Sequence, residues 1–128
     1  MAVRVVRLGT DRLPGEGLRI GTVRRPPRGV PKSKFASGNW YDVWFPVLAP
    51  SVETMKLGQS ARTPAQWTAF TRKYRGEMAS PASAQALDLL AALSRTSDLA
   101  VGSYCADETH CHRSILRTLL QDRGAKLA

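Results

Sequence analysis

The stretch LAVGSYCADETHCHRSILRTLL, Leu99 to Leu120, decides the fold. It opens with an apolar run, Leu99 to Tyr104, broken only by Gly102 and Ser103 and flanked by polar residues. A run that short reads as a strand buried on both faces. Cys105 ends it, and a polar loop, Ala106 to Thr109, follows. A helix is expected to start near His110, because Ile115, Leu116, Leu119 and Leu120 repeat as one apolar stripe. Two thiols, two imidazoles and Arg113 therefore crowd one strand-to-helix turn. Open α/β sheets bind ligands at the carboxyl ends of strands, beside helix N-termini. A reactive site, if the chain has one, is expected at this turn.

Upstream, Val3 to Leu8 alternates apolar and basic residues as a short strand does, and Leu18 to Val23 can form a second. Between them Gly9 to Gly17, with Pro14, is turn material. Arg24 to Lys34, RRPPRGVPKSK, is too rich in proline for helix or central strand and reads as a stiff basic surface loop. Trp40 to Leu48, WYDVWFPVL, reads as an edge strand or an irregular apolar segment, either packing the core or walling a cleft. Three Ser/Thr-plus-Pro signals follow. Pro50-Ser51 precedes a short helix, Val52 to Leu57, capped by Ser51 with Glu53 in its first turn. Thr63-Pro64 opens an amphipathic helix, 64–78, on the stripe Trp67, Phe70, Tyr74 and Met78. Ser80-Pro81 opens another, to about Ser94, on Leu87, Leu90 and Leu93. The plan is α/β: a single small domain, residues 1–128, with a short, mostly parallel sheet covered by helices.

At 128 residues the chain supports one modest core. No apolar run approaches the ~18 residues of a membrane span, so no membrane partner is expected. MAVRVVRLGT lacks the apolar centre of a signal peptide, and a cytoplasmic protein is the expectation. A reducing compartment would keep Cys105 and Cys111 as thiols. Net charge is +9. Residues 1–34 contribute +7 of it, through nine Lys or Arg against Asp11 and Glu16. A basic end on a nearly balanced body points to an anionic small molecule, a nucleic acid or an acidic protein, or serves solubility alone.

Several segments resemble the YeaO-like family, domain of unknown function 488 (DUF488), over nearly the whole length. Arg19, Arg24, Pro27-Arg28-Gly29 and Lys32 look like that family's basic loop. Trp44 with Leu48-Ala49-Pro50-Ser51 looks like its "W…LAPS" segment, and Trp67, Phe70, Tyr74 and Glu77 like its "W..F..RY..E" helix. Cys105 with Cys111-His112-Arg113 looks like the ending of one branch. Val23 and Pro26 depart from the pattern, standing where many relatives have Asp and Trp. If that Asp were a catalytic acid or base, this chain lacks it. The resemblance implies an α/β fold and no established reaction, so function is argued from the site.

Four readings of the turn stay open. Cys105, His110, Cys111 and His112 are zinc-type ligands, but they lack the paired spacing of structural sites, and no metal is assigned. His110-Cys111 followed by Arg117 spells H-C-x5-R, without the glycine that a phosphate-wrapping loop uses. A thiolate or anion site fits the helix N-terminus and Arg113, with His112 pointing inward on the helical wheel. A structural turn fits too, with buried cysteines, a core histidine, and Arg113 paired to Asp107 or Glu108.

Two functions follow. One is a small enzyme or ligand-binding domain for a phosphorylated or other anionic molecule. Its catalytic candidates are Cys105, Cys111 and His112, and its ligand-binding candidates are Arg24, Arg28, Lys32 and Arg113. No cofactor is implied. The other is a nonspecific nucleic-acid-binding accessory protein using the basic N-terminal region, with the turn structural. They separate on geometry. If the strands Leu18 to Val23 and Leu99 to Tyr104 run parallel, the basic loop and the cysteine turn leave from one sheet edge.

Overall fold

A computed structural model describes residues 1–128. Four strands, β1 (Val3–Arg7), β2 (Leu18–Gly21), β3 (Val43–Trp44) and β4 (Leu99–Ser103), form one sheet in the order β1-β4-β2-β3. Every pair is parallel. β4 lies between β1 and β2, and all five of its residues are buried, as a run apolar on both faces requires. Gly102 is needed there because a β-carbon on it would sit 2.6 Å from Leu8.

Four helices follow the caps in the sequence. α1 (Val52–Ser60) is capped by the Ser51 side chain, which accepts from the Thr54 N–H. It runs past the expected end at Leu57 to Ser60, and at Gly58 the ring of Phe70 packs directly on its backbone. α2 (Pro64–Met78) carries a complete Thr63/Gln66 capping box. α3 (Pro81–Leu93) and α4 (His112–Asp122) complete the set. The last begins two residues later than expected, since Glu108–His110 form a separate 3-10 turn. β2 likewise stops at Gly21, short of Val23, and β3 has only two residues before a 3-10 turn at Pro46–Leu48.

The helices pack on one face of the sheet. Phe70, Tyr74, Leu87, Leu90, Leu116 and Leu120 form one core cluster with Val3, Ile20, Leu99 and Val101. The opposite face is covered by loops. Leu8, Val23 and Tyr41 form a smaller cluster there, joined by Phe35, Trp40 and Tyr104. Arg19 is fully buried and bonds bidentately to Glu16, with Thr10 and Asn39 carbonyls completing its shell. So complete a set of partners offsets the desolvation of both charges.

Candidate functional site

Because β2 and β4 are parallel neighbours, the chains leaving them emerge on the same edge. Val23 to Arg28 and Ser103 to His112 meet there around a cleft of about 390 Å³, closed by Pro50 and Met55 and by Trp67 and Phe70 of α2. Cys111, the N-cap residue of α4, is buried in its lining. Ser103 Oγ lies 2.9 Å from Cys111 Sγ, and His112 Nδ1 lies 3.9 Å away. The other imidazole nitrogen, Nε2, is 2.8 Å from the Thr22 carbonyl oxygen. A carbonyl only accepts, so Nε2 carries a proton; in the neutral ring Nδ1 is then free to take the proton of the Cys111 thiol, and once protonated it donates to the thiolate. The Tyr74 ring meets the imidazole edge-on, with centroids 5.5 Å apart.

This arrangement holds the Cys111 thiol well below its ordinary range. The Cys105 S–H beside it is the largest cause; burial opposes, and His112 and the Arg113 backbone N–H add to the lowering. Cys105 is exposed and is pushed the other way, by the hydrogen bond to Cys111, by desolvation and by the charge on Cys111. Of the two thiols at the turn, Cys111 is therefore the one held toward the thiolate form. Sulfur nucleophiles are activated by such surroundings, with a base in reach and a third group orienting that base.

The basic residues divide. Arg24, Arg25 and Arg28 line the cleft with Cys105, Cys111 and His112. Arg24 is committed to the scaffold, donating to the carbonyls of Pro46, Ala49 and Pro50. Arg25 and Arg28 are exposed and take no part in any ion pair. Lys32, exposed at the start of a 3-10 turn, lies outside the cleft lining. Arg113 also lies outside it. It is buried and donates to the Cys105 carbonyl, with its Nε unpartnered, rather than pairing with Asp107 or Glu108. Arg12 and Arg19 are tied to Asp42 and Glu16. Three of the nine basic residues of the N-terminal region, Arg12, Arg19 and Arg24, are thus committed to contacts within the fold.

The H-C-x5-R spelling dissolves in three dimensions, because Arg117 forms a bidentate pair with Glu108. No three His, Cys, Asp or Glu side chains come together closely enough to hold a metal ion. His110 instead packs against Trp67, ring centroids 5.4 Å apart. Sequence reasoning missed Thr22, Ser103, Arg25 and Tyr104. Ser103 ends the apolar run and Thr22 directly follows β2, so their positions at strand ends were the available signal.

The fold and turn define a small parallel α/β protein with a Cys–His pair at the carboxyl edge of its sheet. The chain belongs to the DUF488 family: the family described as the active DUF488-N3 subclade matches residues 3–124. No curated protein and no solved structure matches it. No helix is long and apolar enough to cross a membrane.

Proposed function

We propose that the chain is a small enzyme acting on a phosphorylated or otherwise anionic small molecule. Cys111 is the nucleophile, His112 its base, and Arg25 and Arg28 hold the anionic group. The observation that carries this reading is the convergence of Cys111 Sγ, an acceptor imidazole nitrogen and two unpaired guanidinium groups on one cleft. The word "active" in the subclade's description agrees with it. In the reaction, Cys111 Sγ forms a bond to the electrophilic centre of the substrate. The bond to the leaving group breaks, and the electron pair departs with that group. The proton that His112 Nδ1 took from Cys111 passes to it. Thr22 keeps the imidazole in the tautomer this requires, and Ser103 orients the sulfur.

Iodoacetate and iodoacetamide test the reading together, since they differ in charge and share one thiol chemistry. Cys111 is expected to react with iodoacetate faster, relative to iodoacetamide, than a free thiol does, and inorganic phosphate is expected to slow both reagents. A ratio equal to that of a free thiol, with no protection by phosphate, contradicts the reading.

A further inference from the structure

A second cleft, of about 530 Å³, opens at the carboxyl end of β1 and shares Tyr104 and Arg28 with the first. That volume lies within the ~300–1,000 Å³ range of small-molecule sites. Its aromatic wall is built rather than incidental. Gly9, at φ +89°, brings its backbone so close to Trp40 that a β-carbon would lie 2.9 Å from the indole ring. Trp40 meets Tyr104 edge-on, with centroids 5.9 Å apart. The Tyr104 hydroxyl is fixed by the Arg25 carbonyl at 2.8 Å. Arg7 uses its Nε on the Tyr104 carbonyl, and neither of its terminal nitrogens is engaged. Arg28 faces it with no ion-pair partner.

Two guanidinium groups beside a partly buried indole make a mixed demand. A purely anionic ligand would leave the aromatic wall bare, and a purely apolar one would desolvate the arginines without pairing them. A planar ring carrying a phosphate meets both, because guanidinium forks bind phosphate bidentately and aromatic faces stack bases of any identity. We propose that this second cleft binds a nucleotide unit, its base against Trp40 and Tyr104 and its phosphate between Arg7 and Arg28. The inference stands on the second cleft and does not need a reactive Cys111. Where the reading of Cys111 as nucleophile also holds, Arg28 joins the two clefts into one substrate site.

Calorimetric titration of the full chain with adenosine 5′-monophosphate, adenosine and inorganic phosphate tests it. The nucleotide is expected to bind more tightly than either fragment. Trp40→Leu and Arg7→Gln are each expected to weaken it by roughly tenfold, the loss of one stacking or charge-assisted contact. The heat of binding is read without reference to thiol reactivity, which separates this proposal from the alkylation test of Cys111. Nucleotide binding no tighter than phosphate, or unaffected by either cleft substitution, overturns the proposal. If Trp40→Leu fails to fold, Arg7→Gln decides alone. A short single-stranded oligonucleotide whose binding depends on Trp40 supports recognition of the same unit within a strand. Oligonucleotide binding that ignores Trp40 and vanishes with salt, with no nucleotide binding, overturns it.

Discussion

The segment Pro46 to Thr54 and the turn Tyr104 to Cys111 border the same cleft and treat their polar groups in opposite ways. In the first, the carbonyls of Pro46, Ala49 and Pro50 accept from Arg24, that of Leu48 from the Tyr74 hydroxyl, and that of Val47 from Ser83. The Ser51 N–H and hydroxyl and the Thr54 hydroxyl all reach Glu77. The polar groups have partners, and the segment is a rigid wall. Around the second, Arg25 and Arg28 face the cleft without carboxylates, and Arg113, just outside the cleft lining, is buried with Nε unpartnered. The Cys111 thiol is held well below its ordinary range. Saturated polar networks hold a fold in one arrangement, whereas groups left unsatisfied at a cleft are available to a ligand. Arginine thus plays two parts here, and burial with partners tells them apart.

Breaking the scaffold should cost most. Arg19→Met leaves Glu16 charged, buried and unpaired, and is expected to lower stability in urea by roughly 3–5 kcal/mol. Glu77→Gln comes next, at about 1.5–3 kcal/mol for weakened charge-assisted bonds. Burial alone would raise the Glu77 carboxyl, but hydrogen bonds from Ser51 and Thr54 and the charge of Lys73 hold it below its ordinary value. Its contribution is therefore full above the unfolded-state value of ~4.3 and is lost as pH falls through the native one. The deficit of Glu77→Gln should shrink on acidification, and unfolding curves at several pH values below neutral read that directly.

These scaffold residues also mark the limit of what the sequence showed. Helix 64–78 was legible to the residue, because a proline cap and an aromatic stripe agree on one span. The burial of β4 was legible from its short continuous apolar run, and the inward turn of His112 from the helical wheel. The arginines were not. A sequence counts Arg19, Arg24 and Arg113 as positive charge, but their roles depend on which carbonyl or carboxylate the folded backbone presents, between 3 and 26 residues away. Strand order was illegible too, since a two-residue β3 carries no pattern of its own. The cleft could be anticipated only conditionally, because it exists only if β2 and β4 are parallel.

On the site side the expected stability effects are small and the functional ones specific. Cys111→Ser is expected to change stability by about 1 kcal/mol or less, a small cost for a near-isosteric polar swap, while abolishing the fast alkylation by iodoacetate at neutral pH. Arg28→Gln should stay within about 0.5 kcal/mol of the parent, as an exposed residue should. It should also lower the iodoacetate-to-iodoacetamide ratio at Cys111 while sparing the reaction with neutral iodoacetamide. Equal losses with both reagents would make Arg28 part of the wall rather than of the anion site.

The most direct test of the account is the pH dependence of Cys111 alkylation by iodoacetamide, followed on the Cys111 peptide by mass spectrometry in the intact chain. The account predicts an inflection no higher than the ~3.5–7.5 range of activated thiols, so that the rate is already at its plateau near neutral pH. Cys105 should begin to react only in alkaline solution. An inflection of Cys111 near ~8.5, the value of a free cysteine, or a Cys111 that stays inert while Cys105 is modified, would contradict it.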